Sequence, residues 1–171
     1  EVKNPTVRVL KLLRGEIHLL QNDLSPELIG YLKSQKEIQV DQMDGSNFSY
    51  IGCNLEDAAT GDPRVRRAIA HGIDREAIIR LVLHNSARPA EALFPPEHWA
   101  GNPQLTAIPY DPAQARSLLA EAGYSPDNPL RLVYKTSSDP FRIRLATIIQ
   151  SQLKRVGIEL DLRSYDWGTF F

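Results

Sequence analysis

The sequence predicts an α/β fold, on three observations. Apolar and polar residues alternate as strands over 130–136 and 158–164. An amphipathic helix is spaced between them over 139–156. Several helices along the chain open on a capping residue followed by proline. A strand, a helix and a strand in that order form a βαβ unit, which implies parallel strands and a right-handed crossover. With 171 residues, 42% of them hydrophobic, the chain is long enough for one domain or one and a fraction.

Taken in order, "NPTVRVLKLLRG" has Pro5 at a helix start and Gly15 just past its end, with Val9, Leu12 and Leu13 on one stripe. "EIHLL" (16–20) reads as a short strand. Ser25 caps "PELIGYLKS", where Leu28, Ile29 and Leu32 share a face. "EIQV" (37–40) reads as a second strand. "NFSYIGCNL" (47–55) reads as a third, buried, with Gly52 allowing a close approach. Asp62 and Pro63 then open a helix with Val65, Ala68 and Ile69 facing inward, and Gly72 stops it. Asp74 caps the next helix, which runs through Ile78, Ile79, Leu81 and Val82. Residues 85–109 hold five prolines and little periodicity, as expected of a long surface-wrapping loop. "DPAQARSLLAEAG" (111–123) is capped by Asp111 and closed by Gly123, ahead of the βαβ unit.

Composition narrows the function. Lysine and arginine total 20 against 21 acids, a net charge of -1, which argues against a dedicated nucleic-acid binder. The single Cys53 closes no internal disulfide and fits no zinc or iron–sulfur ligand set. His18, His71, His84 and His98 show no metal-binding spacing, no serine stands in a G-x-S-x-G context, and no glycine loop cradles phosphate. The reading is therefore no metal, no cofactor and no catalysis. No apolar run is long enough to span a bilayer, and the first residues are not a signal peptide. The start without methionine and the aromatic end "DWGTFF" suggest a fragment of something longer.

"DPRVRRAIAHGIDREAII" (62–79) raises one rival. Its capped helix pair, with Ala68 and Gly72 four apart, has one mark of a DNA-reading motif. Arg75, however, stands where that motif expects a buried apolar contact. The favoured reading of Arg64, Arg66 and Arg67 is a scaffold corner.

Four ordered segments carry a family resemblance. "LLRGEIHLLQNDLSPE", "NFSYIGCNL" followed by "DPRVRRAIAHGIDREAII", "YDPAQARSLLAEAGY" and "IIQSQLKRVGIELDLRSYDWGTF" together resemble the extracellular solute-binding proteins of family 5. His18 and Gly72 depart from residues common there. The resemblance implies the peptide- or nickel-binding component of an ATP-driven importer, in a two-lobed periplasmic binding protein of type II-like architecture. It implies that residues 1–45 are part of the first lobe, 46–55 a hinge-crossing strand, and 56–171 part of the second lobe. It implies a location in the periplasm or on the outer face of the cytoplasmic membrane, with a membrane permease and a peptide or similar small solute as partners. Tyr50, Gly52, Phe141 and Trp167 match positions at the ligand cleft. An acidic residue that anchors the ligand is expected beyond Phe171. A nickel, opine or sugar binder is the alternative within the family, and the ligand-binding domain of a DNA-binding regulator is the alternative outside it.

Overall fold

The computed structural model describes residues 2–21, 24–43, 45 and 47–170. The chain divides into two compact units. One takes in residues 1–47 and 77–89, the other 48–76 and 90–171.

The first unit holds α1 (Pro5–Leu13) and α2 (Pro26–Lys33). Asn4 accepts from the amides of Thr6 and Val7, and Ser25 from that of Leu28, so both helices start where the sequence places them. α1 ends on a Schellman turn. The amide of Glu16 reaches back to the carbonyl of Lys11, that of Gly15 reaches Leu12, and Gly15 takes φ +72°. Val9, Leu32 and Val82 are buried in this unit.

The second unit holds α3 (Pro63–Gly72), α5 (Pro112–Glu121), β1 (Leu130–Ser137), α6 (Pro140–Lys154), β2 (Ile158–Tyr165) and α7 (Trp167–Phe170). The boundary between units falls within α4 (Arg75–Leu81). Asp62, Asp111 and Asp139 cap α3, α5 and α6, each ahead of a proline whose missing N–H is harmless at that position. β1 and β2 pair in parallel from Leu130 opposite Ile158 to Ser137 opposite Tyr165, as the βαβ order requires. α6 packs on both strands, α3 on α5, and α3 on α6. The even-numbered residues of β1 turn toward the covered face, and Leu130 and Ile158 are fully enclosed there. Val65, Ala68, Ala115, Leu119, Ala146 and Leu153 complete the core.

Three expected strands do not form. Residues 16–20, 37–40 and 47–55 carry no strand among the described positions. A strand exists only by pairing, and among the described residues these segments have no strand beside them to pair with. The Glu16 amide is already spent on the end of α1, and that of Ile38 bonds back to Gln35. Residues 48–53 make no backbone hydrogen bond among the described residues. Gly52 is exposed, not buried.

Gly72 also differs from expectation in its reason. It ends α3 without a positive φ. A Cβ there would lie 2.8 Å from Leu153 Cδ2 and 3.1 Å from Val156 Cγ2. Glycine at this point lets α3 approach α6 closely.

Two of the three arginines in the corner, Arg64 and Arg66, are tied into the fold. Arg64 grips Asp62 through Nε and Nη2 and donates Nη1 to the carbonyl of Glu121 at 2.6 Å, tying α3 to the end of α5. Arg66 donates to the carbonyls of Thr60 and Gly61, both at 2.8 Å. The Arg64 side chain, foremost, and its own backbone bond hold the Asp62 carboxyl below its ordinary value of 3.8. Because the folded value is the lower one, this contribution is present above the ordinary value and is lost as pH falls through the lowered one. Reversing the charges of Arg64, Arg66 and Arg67 together is expected to lower the thermal midpoint of the complete protein and leave its ligand affinity unchanged. Salt-sensitive duplex binding that vanishes in that variant would contradict the scaffold role.

Candidate functional site

The four candidate residues divide between two places in the second unit. The first is the extended segment that carries Tyr50 and Gly52. The rings of Phe48 and Tyr50 lie 5.6 Å apart and tilted, and Tyr50 is 78% exposed. Residues 48–50 face Ala90, Glu91, Ala92 and Leu93 across an open groove of about 410 Å³. A Cβ on Gly52 would meet only Tyr50 Cε2, at an ordinary 3.7 Å, so this chain by itself does not demand glycine there.

The second group lies at the carboxyl end of the parallel strands. β1 runs out at Ser137 and α6 starts three residues later, which puts Phe141 in the first turn of α6. β2 runs out at Tyr165, which puts Trp167 at the start of α7. The amide of Ser138 donates to the Tyr165 carbonyl at 2.7 Å and holds these two exits together. In open α/β sheets ligands bind in the crevice outside the carboxyl ends of the strands. Trp167 is 56% exposed and stacks on Phe170 with ring centroids 5.7 Å apart. The Arg142 guanidinium lies over the Trp167 ring at 5.8 Å, and that of Arg144 over the Phe141 ring at 5.5 Å. The Lys135 ammonium sits 6.0 Å from the Tyr165 ring. Asp166 anchors α7 by accepting from the Thr169 hydroxyl at 2.7 Å and the Thr169 amide at 3.1 Å. The hydroxyl bond, then the amide bond, lowers the Asp166 carboxyl from its ordinary value.

The structure thus puts Phe141 and Trp167 at one edge and Tyr50 and Gly52 in a groove of their own. Sequence reasoning missed Arg142 and Arg144. Arg144 follows Phe141 by three residues in "FRIR", a helical spacing legible in the sequence, whereas Arg142 meets no ring until α7 is placed. It also missed the clamps on the proline-rich loop. Arg75 donates to the Ile108 carbonyl at 2.5 Å, and His71 Nδ1 lies 2.9 Å from the Pro109 carbonyl. Arg75 is therefore spent on loop carbonyls. Among the described residues no three acidic, histidine or cysteine side chains gather as a metal site, and no helix is long and apolar enough to cross a membrane.

Residues 1–171 match the model of the bacterial extracellular solute-binding proteins, family 5 (middle region). The chain belongs to family 5. Its relatives include di/tripeptide-binding protein 2 of Pseudomonas aeruginosa, 35% identical over 96% of this chain and 31% of that protein. The dipeptide-binding protein of Escherichia coli is 29% identical over the same shares. The solved periplasmic binding protein DppA of Helicobacter pylori, in complex with the peptide STSA, superposes with a TM-score of 0.83. It is 28% identical over 99% of this chain and 32% of that one. This family 5 chain thus spans about a third of the length of these relatives. Its α/β fold is that of a part of a larger periplasmic binding protein. Family 5 members are solute-binding proteins, and the DNA-binding regulator alternative has no support here.

Proposed function

We propose that the complete protein is the substrate-binding component of an ABC importer, which captures peptides between two lobes and delivers them to a membrane permease. It works in the periplasm or on the outer face of the cytoplasmic membrane and performs no reaction. The observation that carries this reading is the family match along the whole chain, with relatives named for di- and tripeptides. The exposed Trp167 edge supports it. A large flat ring on a rigid support gives contact area at little entropy cost. In this reading residues 1–45 belong to the first lobe, 46–55 cross the hinge, and 56–171 belong to the second lobe. Tyr50, Gly52, Phe141 and Trp167 face the cleft. Lobe closure draws its free energy from contacts made only in the closed state.

A thermal-shift screen of di- and tripeptides against the complete protein tests this. A ligand at a hundred times its Kd stabilises the native state by about 2.7 kcal/mol, an easily read shift. A nickel chelate or a sugar that shifts the midpoint where no peptide does would overturn the peptide reading.

A further inference from the structure

Trp167 stands on the shortest helix among the described residues. α7 has four residues and none of them is buried. A lone helical turn forms at a net loss, because it fixes several backbone angles for a single hydrogen bond. Burial does not offset that loss here, and the bonds to Asp166 hold the turn instead. Asp166 Oδ1 accepts from the Thr169 amide at 3.1 Å and Oδ2 from the Thr169 hydroxyl at 2.7 Å. The Asp166 carbonyl accepts from the amides of Thr169 and Phe170. Gly168 lies close under the same carboxylate, where a Cβ would come within 3.3 Å of Oδ1. The Asp166 carboxylate makes no ion pair among the described residues, so its printed side-chain bonds all close within α7. Trp167 is the first residue inside this cap. A ring held on a fixed turn binds better than the same ring on a fraying chain, because less is left to order on contact.

We infer that Asp166 is a positioning residue, which closes α7 and so holds the Trp167 ring where the ligand meets it. This rests on the peptide reading above, with Trp167 at the cleft, and deepens it. Asp166 acts through Trp167 and not on the ligand.

The experiment uses the complete protein, with calorimetry on Met-Leu and on tri-alanine, and a fluorine NMR spectrum after incorporation of fluorotryptophan. The Trp167 resonance is the one that disappears in Trp167→Phe. Asp166→Ala should weaken peptide binding about 2- to 30-fold, the loss of a helix cap read as affinity. It should also shift or broaden the Trp167 resonance in the absence of peptide, and leave the melting temperature unchanged. Asp166→Asn should restore most of both, because an asparagine oxygen also accepts from the Thr169 amide. In a Trp167→Ala background, Asp166→Ala should weaken binding no further. Losses that add in the double variant, an asparagine variant as weak as the alanine one, or an unmoved Trp167 resonance each overturn this inference and leave the peptide reading standing. Failure of both peptides to bind the unaltered protein overturns the peptide reading and this inference with it.

Discussion

Leu153→Ala is expected to destabilise the second unit by about 2–5 kcal/mol, the range for emptying a buried leucine site. Leu153 is 2% exposed, in the last turn of α6. Its Cδ2 fills the space where Gly72 lacks a side chain. The loss includes the transferred methyl groups and the cavity left between α3 and α6, which the stiff helices on either side cannot fully close. The converse change, Gly72→Ala, forces a methyl to within 2.8 Å of that same atom and should cost about 1–3 kcal/mol by overpacking. Because the two sites share one volume, their effects should not add. The double variant should be more stable than the sum of the single losses predicts. Chemical unfolding of the four proteins gives the coupling directly. Strict additivity would mean that α3 and α6 do not meet at this point.

Trp167→Ala should weaken peptide binding by the complete protein by about 1–3 kcal/mol, the usual loss for truncating an aromatic anchor at an interface. The fold should tolerate the change. Trp167 is more than half exposed and sits in a four-residue helix. What it supports is the Arg142 guanidinium on its ring and the Phe170 ring stacked beside it. Removing the indole therefore frees both neighbours as well as deleting contact area. Calorimetry reads the affinity, and circular dichroism checks that the fold is kept. An unchanged affinity would put the ligand elsewhere, with the Tyr50 groove the next position to test.

Local chemistry made much of this fold legible. Asp62, Asp111 and Asp139 each announce a helix because capping and the proline behind it are satisfied within three residues. The βαβ unit was legible because two alternating segments flank one helix, and that order leaves few topologies. Residues 16–20, 37–40 and 47–55 misled because alternation describes a surface, not a partner. Segments that carry the pattern without a neighbouring strand stay irregular. Distance in sequence hid the remainder. His71 meets Pro109 across 38 residues, and Arg142 meets Trp167 only after β2 has turned back beside β1. Tyr50, Phe141 and Trp167 were visible as candidates only through family resemblance. Of the cations beside two of them, Arg144 is local to Phe141 on α6, and Arg142 needed the Trp167 ring to be placed first.

The parallel pairing of β1 and β2 has a kinetic consequence. Every rung of that ladder joins residues 28 positions apart, with α6 filling the interval. Docking of α3 against α6 closes a much wider loop, since the Asp74 amide donates to Gln152 Oε1 across 78 residues. Contacts of short sequence separation form sooner, because less chain entropy is lost before they are rewarded. The crossover unit is thus expected to be the nucleus on which the α3–α5 pair later settles. Pulse-labelled hydrogen exchange during refolding can follow this order. The strand amides between Leu130 and Ser137 should gain protection before the amide of Asp74, and protection of Asp74 first would reverse the order.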